Sequence, residues 1–438
     1  MLSSWHRALF ILVVALPLLA QAFPTPGAIP IFLPVALLLA PVTLLMRIAD
    51  KGVPGLLLGD SGFMAIFALT VLIYIYGVVI SVDVHDQNLL REIVNGIVAM
   101  MVVFSIANSG WTAGERARLV RSMASALLFV GLFVGILGVY KLSLFLSTRE
   151  TLDFVLVANN GEYPWGTSLL ADYNFYSLTV LVAILAALFL ANYLRPFGQS
   201  ILGILIVFLL VVGILAGSRR FWMIAPLIMV VQSLWMVSRC GVRRYSVVFG
   251  VLLFCVVGLP AVIYVVANDL FELLFVTAWD FQLRVLTLLN SELAFGMGPR
   301  FELWDFAINR LDGFVPWFGN GFDYMHRFSC EFGECAEGGY PHMPILSAYL
   351  YGGVIAAVLA CVLLVYLTLA GWKLLSHDFE FGWLCFPMLS ALLFAAVSGN
   401  GSLAIRSYII LGAVCVGFLN AIHADSGSPR ESAVLSAA

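Results

Sequence analysis

Three polar patches in an otherwise apolar chain carry residue types suited to phosphate and proton chemistry. Gly338-Gly339-Tyr340-Pro341-His342 runs directly into a long apolar stretch. Upstream lies Gly298-Pro299-Arg300-Phe301-Glu302-Leu303-Trp304, and earlier still an apolar run ends in Gly217-Ser218-Arg219-Arg220. A neutral imidazole accepts a proton near physiological pH. A guanidinium presents a planar fork that grips phosphate bidentately. A histidine base beside several fixed cations suits attack of a hydroxyl on a phosphate-activated substrate.

The histidines are not equivalent. His342 is expected at the first turn of a spanning helix, between Pro341 and Pro344. The positive end of the helix dipole and nearby arginines both favour its neutral form there. The competing reading is a hydrogen-bonded interfacial anchor. His326 shares the same polar segment, His85 falls in a short turn, and His6, His377 and His423 fall on the opposite side of the predicted topology. Arg219, Arg220, Arg284, Arg300, Arg310, Arg327 and Arg406 share the predicted face of His342. Contact with lipid headgroups explains any one of them. As a group they fit an anion clamp better. Arg219 and Arg220 open a span and Arg300 opens a helix, so N-terminal amides add to anion binding. The expected order of importance is Arg219 and Arg300, then Arg220 and Arg406.

A metal centre is not expected. No His, Cys or Asp cluster in the outer segments has ligand spacing, and Asp269, Asp280 and Asp312 stand alone. No cofactor is called for either, because arginines stabilise a departing diphosphate directly. Asp172 and Asn174 precede an apolar run, where either caps a helix or hydrogen-bonds a sugar. Trp304 and Tyr340 are further candidates for contact with substrate. Cys330 and Cys335 flank Glu331-Phe332-Gly333-Glu334 in an outer, oxidising segment, where a disulfide is expected. The remaining cysteines lie in or beside apolar runs, as small packing residues do.

These residues must be held by membrane-embedded helices. The chain is 62% hydrophobic and 11% charged, with a mean hydropathy of +1.03. A soluble fold cannot expose such a surface, and Lys and Arg are too few and dispersed for a nucleic-acid partner. Runs of ~20 apolar residues predict an all-α polytopic integral membrane protein with about twelve spans. They fall at 8–23, 29–46, 61–82, 89–108, 124–145, 174–194, 199–217, 221–238, 247–268, 345–371, 383–399 and 403–422. Arg195-Pro196-Phe197-Gly198 is expected to be the turn between the sixth and seventh. Arg7, an apolar run and Ala20-Gln21-Ala22 imitate a signal peptide. Polytopic proteins usually keep such a span as an anchor.

Four regions follow: 1–268 with nine spans and an outer loop near 146–173, a long outer segment at 269–344, three spans at 345–422, and a polar tail at 423–438. Arg116, Arg118, Arg121, Arg195, Arg239, Arg243, Arg244 and Lys373 fall on one side if both termini are cytoplasmic, as the positive-inside rule requires. Even numbers of crossings then put Arg219, the 269–344 segment and Arg406 together on the other side. Within that segment, 270–289 has the mixed pattern of an interfacial helix. Arg300 to Leu311 predicts a second helix with Phe301, Trp304, Asp305 and Ile308 on one face, and Gly319-Asn320-Gly321 marks a turn.

Taken in order, Asp172-x-Asn174, Ser218-Arg219, Arg300-x3-Trp304, Gly319-Asn320-Gly321 and His342 leading into a helix with Gly352-Gly353 resemble the O-antigen ligase and polymerase superfamily of bacterial envelope proteins. The likeness covers roughly residues 170–360. Met343, where that pattern often has Asn, and the pair Cys330 and Cys335 depart from it. The resemblance implies a metal-independent glycosyltransferase of the bacterial inner membrane with its site facing the periplasm. Its donor would be a glycan on undecaprenyl diphosphate. Its acceptor would be the lipid A–core sugar in a ligase, or another lipid-linked repeat unit in a polymerase. Membrane lipids would surround it. The catalytic histidine of the superfamily corresponds to His342, and its essential arginines to Arg219 and Arg300. A transporter of the same lipid-linked sugar is the alternative class. It would carry charged residues and broken helices at mid-span, where this sequence is nearly free of charge.

Overall fold

A computed structural model describes residues 61–81, 113–148, 173–215, 224–231, 298–309, 315–321, 343–377, 379–397 and 401–427, with single residues at 11, 45, 49, 103, 106, 218 and 221. The described residues are helical apart from short turns, and no strand occurs among them. The helices are α1 (Ser61–Val79), α2 (Ala113–Thr148), α3 (Tyr173–Leu190), α4 (Pro196–Leu215), α5 (Gly298–Asn309), α6 (Pro344–His377), α7 (Phe379–Val397) and α8 (Gly401–Gly427). Five stretches, in α1, α2, α4, α6 and the α3 region, are long and apolar enough to cross a membrane. Seven of the predicted spans thus coincide with helices. Those at 8–23, 29–46, 89–108 and 247–268 lie wholly or mostly outside the described residues, as does the interfacial helix at 270–289, and the span at 221–238 is helical over 224–231.

The bundle is built around α3, whose residues from Tyr176 to Phe189 are all buried. Small residues allow this. Gly131, Gly135 and Gly138 line one side of α2, and a side chain at Gly131 would overlap the methyl of Ala183. A Cβ at Gly135 would come within 3.1 Å of the Phe208 ring on α4. Glycine and alanine at such contacts replace the hydrophobic drive that lipid cannot supply. Gly131 meets Ala183 and Gly138 meets Tyr176, and the Arg121 guanidinium lies 4.5 Å over the Tyr193 ring. The sum of the two residue numbers is constant through these pairs, so α2 and α3 run antiparallel. Arg121 is thereby placed at the same end of the bundle as the α3–α4 connection and Arg195.

That connection differs from expectation. A single 3-10 turn, Ala191–Tyr193, leads to an extended Leu194. Helix α4 already begins at Pro196, because proline is preorganised for a first helical position and lacks only an N–H that would be orphaned there. Pro196, Phe197 and Gly198 therefore belong to the helix, and the turn is Leu194-Arg195. Gln199 reaches back to close it, donating from Nε2 to the Ala191 and Leu194 carbonyls at 3.1 Å each.

A second group joins α1, α6, α7 and α8. Tyr408 on α8 donates to the Leu364 carbonyl on α6 at 2.6 Å and lies 2.6 Å from the Thr368 hydroxyl. Gly412 abuts Leu367, and the His377 and His423 rings meet at 5.7 Å. These pairs run in step, so α6 and α8 are parallel, while the stacked rings of Phe381 and Phe418 lie 3.9 Å apart between antiparallel α7 and α8. Cys385 and Cys415 are fully buried thiols, and Cys361 is a half-buried one. Such placement fits their expected packing role, whereas Cys240 and Cys255 lie outside the described residues.

Helix α6 is not continuous. Gly353 has φ 69° and ψ −164°, a conformation essentially restricted to glycine. It divides α6 into a short leading segment and a stem from Val354 to His377. The stem alone is about 35 Å long at 1.5 Å per residue, enough to cross a bilayer core of ~30 Å. Exposed apolar residues begin only beyond the break, at Ile355, Val358, Val362, Val365, Leu369 and Trp372. From Met343 to Val354 no side chain is exposed. The stem presents an exposed apolar stripe, and the leading segment is buried or half-buried.

Candidate functional site

The break in α6 is stitched by the turn at 315–321. In an unbroken helix the Leu350 and Tyr351 carbonyls would accept from amides four residues on. Here the Asn320 and Gly321 amides donate to them, each at 3.2 Å, and the Val354 amide donates instead to the Pro316 carbonyl at 2.8 Å. The turn braces itself through the Gly319 amide on the Val315 carbonyl at 2.8 Å. The Val315 amide donates to the Asn320 side-chain oxygen at 2.7 Å.

Glycine is required on both sides of this contact. Gly319 has φ 68° and Gly321 φ 75°. A Cβ on Gly319 would lie 2.6 Å from the Gly353 nitrogen, and one on Gly353 would overlap the Trp317 carbonyl. Helix α1 closes the third side. A Cβ on Gly321 would lie 2.7 Å from both the Gly77 carbonyl oxygen and the Ser81 hydroxyl, and that hydroxyl donates to the Gly77 carbonyl at 2.7 Å. Gly77 itself leaves room for Tyr351, whose ring also meets Tyr74 edge-on at 5.7 Å. Two motifs quoted from the sequence, Gly319-Asn320-Gly321 and Gly352-Gly353, are therefore in direct contact. Sequence reasoning missed Gly77 and Ser81, since one glycine in an apolar run carries no sign of a partner hundreds of residues away.

Helix α5 rests on the leading segment of α6. Ala307, Leu346 and Leu350 form a small buried cluster with Trp304, Phe306, Met343 and Tyr349 packed against it. Trp304 is half-buried in this contact, as its place on the predicted inner face requires. Ile308 is 54% exposed, however, and Ala307 takes the inner position. The helix starts at Gly298-Pro299, two residues before the predicted start, so the backbone of Arg300 lies in its first turn. Asp305 accepts a hydrogen bond from the Asn309 amide group at 2.7 Å on the same helix.

The described part of α6 begins just after the histidine in the sequence. The Met343 carbonyl accepts the first intrahelical bond, from the Ser347 amide at 2.9 Å, and Pro344 is the first helical residue. Met343, the residue before that proline, is outside helical geometry as such a residue is expected to be, and His342 lies one residue further upstream in the sequence. His342 itself, with Tyr340, Cys330 and Cys335, lies outside the described residues. So do Arg219, Arg220 and Asp172, although Ser218 and Phe221, which flank the arginine pair in sequence, are both buried. Asn174 is in the first turn of α3 by its backbone.

Arg406 was expected on the outer face, near the start of the span at 403–422. Its backbone lies in the second turn of α8, two residues before Tyr408. The parallel register with α6 sets it about two turns below the break. Among the described residues no three His, Cys, Asp or Glu side chains come together as metal ligands.

This architecture defines the class as a helical membrane protein in which one long helix is broken beneath a buried or half-buried leading segment. No family model matches the chain, and no curated protein matches it.

Proposed function

We propose that this chain is a glycosyltransferase of the O-antigen ligase type. It would move a glycan from undecaprenyl diphosphate to a sugar hydroxyl of lipid A–core at the periplasmic face of the bacterial inner membrane. The observation that carries this reading is the packing of α5 on the leading segment of α6. Arg300 belongs to the first turn of one helix, and His342 stands two residues before the other. Two of the three residues assigned to the reaction thus lie, in sequence, in or beside two helices that pack together.

In this mechanism the acceptor hydroxyl attacks the anomeric carbon of the donor. The bond from that carbon to the diphosphate oxygen breaks, and the hydroxyl proton passes to His342. Arg219 and Arg300 hold the diphosphate as negative charge grows on the leaving oxygen, with Arg220 in support. The deeper backbone position of Arg406 gives it a lesser part. Asp172, Asn174, Trp304 and Tyr340 are candidates for positioning the sugars. No metal or cofactor enters the scheme.

A polymerase of the same superfamily would run the same chemistry on a lipid-linked acceptor. A transporter is disfavoured by the break in α6. Broken helices in transporters leave backbone groups free for ions or substrate, whereas here the Leu350 and Tyr351 carbonyls and the Val354 amide are all taken up by the turn at 315–321. The lipopolysaccharide of a deletion strain tests the reading. Bare core with accumulating lipid-linked polymer is the expected result. Core bearing a single repeat assigns a polymerase, and an unchanged pattern contradicts the lipopolysaccharide role.

A further inference from the structure

We propose that residues 315–318 form a wedge inserted into the bilayer, giving the α6 stem the aromatic anchor that its own sequence lacks at that end. The turn is Val315-Pro316-Trp317-Phe318, with no charged residue. Its side chains are turned outward although its backbone is bonded to α6. Trp317 is 64% exposed and Phe318 56%, an unusual fate for two large aromatic side chains in water. The turn lies against Gly353 and Val354, immediately above Ile355 and Val358, where the lipid-facing stripe of the stem begins. Exposed Tyr76 and Val79 on α1 extend the apolar surface at the same level.

The spacing identifies the partner as bilayer lipid. Trp372 is exposed at the far end of the stripe and is followed by exposed Lys373. Tryptophan and a basic residue at the end of a span mark a membrane–water boundary. Gly353, which Trp317 covers, precedes Trp372 by a rise of about 29 Å at 1.5 Å per residue. That matches the ~30 Å hydrocarbon core. Trp317 and Trp372 thus bracket one hydrocarbon thickness, the first supplied by the turn and the second by the helix. Both the Gly353 break and the Gly319 contact follow from this role, since they let the turn sit flush on the end of the stem. The inference does not depend on the glycosyltransferase reading.

Photocrosslinking tests it in proteoliposomes of phosphatidylcholine with radiolabelled acyl chains and no donor or acceptor. Phe318→p-benzoylphenylalanine is compared with the same change at Val358, on the lipid stripe, and at buried Leu350. Lipid labelling at 318 should match that at 358 and exceed that at 350 severalfold. Labelling at the level of 350, or crosslinking to polypeptide in place of lipid, overturns the proposal. Trp317→p-benzoylphenylalanine repeats the measurement should the first variant not fold, with the same two outcomes decisive.

Discussion

Replacing Gly353 by alanine should release the turn at 315–321 from α6. Two effects act on the closed state and neither can relax locally. A non-glycine residue at φ 69° and ψ −164° costs about 1–3 kcal/mol in backbone strain. The new methyl also falls on the Trp317 carbonyl group, which is backbone and cannot rotate aside. Once the turn leaves, α6 can straighten and the Val354 amide can return to the Leu350 carbonyl. Part of the lost bonding is then recovered, and the strain term sets the scale. An opening equilibrium shifted by about 1–3 kcal/mol is roughly 5- to 150-fold more open. The assay is amide hydrogen exchange in detergent micelles, read at Asn320 and Gly321, whose amides bond to α6 at 3.2 Å each. Their exchange should accelerate by that factor while α7 and α8 keep wild-type protection. Val358→Ala, on the lipid face of the same helix, should leave both amides unchanged. Wild-type exchange at Asn320 and Gly321 in Gly353→Ala would refute the reasoning, because the bonds across the break would then not hold the turn.

Other substitutions probe separate parts of the molecule. Gly131→Leu should prevent close packing of α2 on α3, because no space remains beside Ala183. Overpacking of this kind costs about 1–3 kcal/mol or more, and a wild-type thermal midpoint would contradict it. Arg219→Lys and Arg300→Lys should each lose most transfer activity although charge is kept, since an ammonium cannot reproduce the bidentate fork. Arg310→Lys should retain activity, and full activity in both of the first two variants would reduce these arginines to headgroup contacts. Cys330 and Cys335 should be joined in the mature protein. Non-reducing mass spectrometry decides this, and free thiols at both positions would end the idea.

Much of the fold was legible because the signals for a membrane helix are local. Apolar length alone locates α1, α3 and α7 to within a few residues. The polar extension of α2 back to Ala113 was not legible from apolarity, since Glu115, Arg116 and Arg118 occupy its first turns. A mixed stretch signals a helix end only through its dipole and caps. The α6 break escaped notice for a different reason. Gly352-Gly353 lies inside an apolar run that predicts a continuous span over 345–371, and breaking a helix there costs hydrogen bonds unless another segment replaces them. That segment is the turn at 315–321, and a long-range exchange of partners leaves no periodic trace. The pairing of Gly319-Asn320-Gly321 with Gly352-Gly353 appeared only as a sequence order, whereas its physical content is a backbone contact without Cβ atoms. At the histidine, Pro344 held a usable signal. Proline favours the first helical position, which makes Met343 the cap of α6. The exposure of Ile308 was not readable, because one hydrophobic residue on a short helix shifts the apparent face by a full position.

The central claim is that His342 removes the acceptor proton, and purified His342→Ala tests it most directly. The measurement is transfer from a polyprenyl-diphosphate glycan to acceptor in vitro, with folding checked by the same exchange protection at Asn320 and Gly321. Loss of a positioned general base typically costs about 10²–10⁴-fold in rate, so transfer should fall by that factor in a folded protein. His326→Ala in the same assay should keep its activity. A folded His342→Ala protein that turns over at the wild-type rate would contradict the mechanism and leave His342 as a residue that only leads into α6.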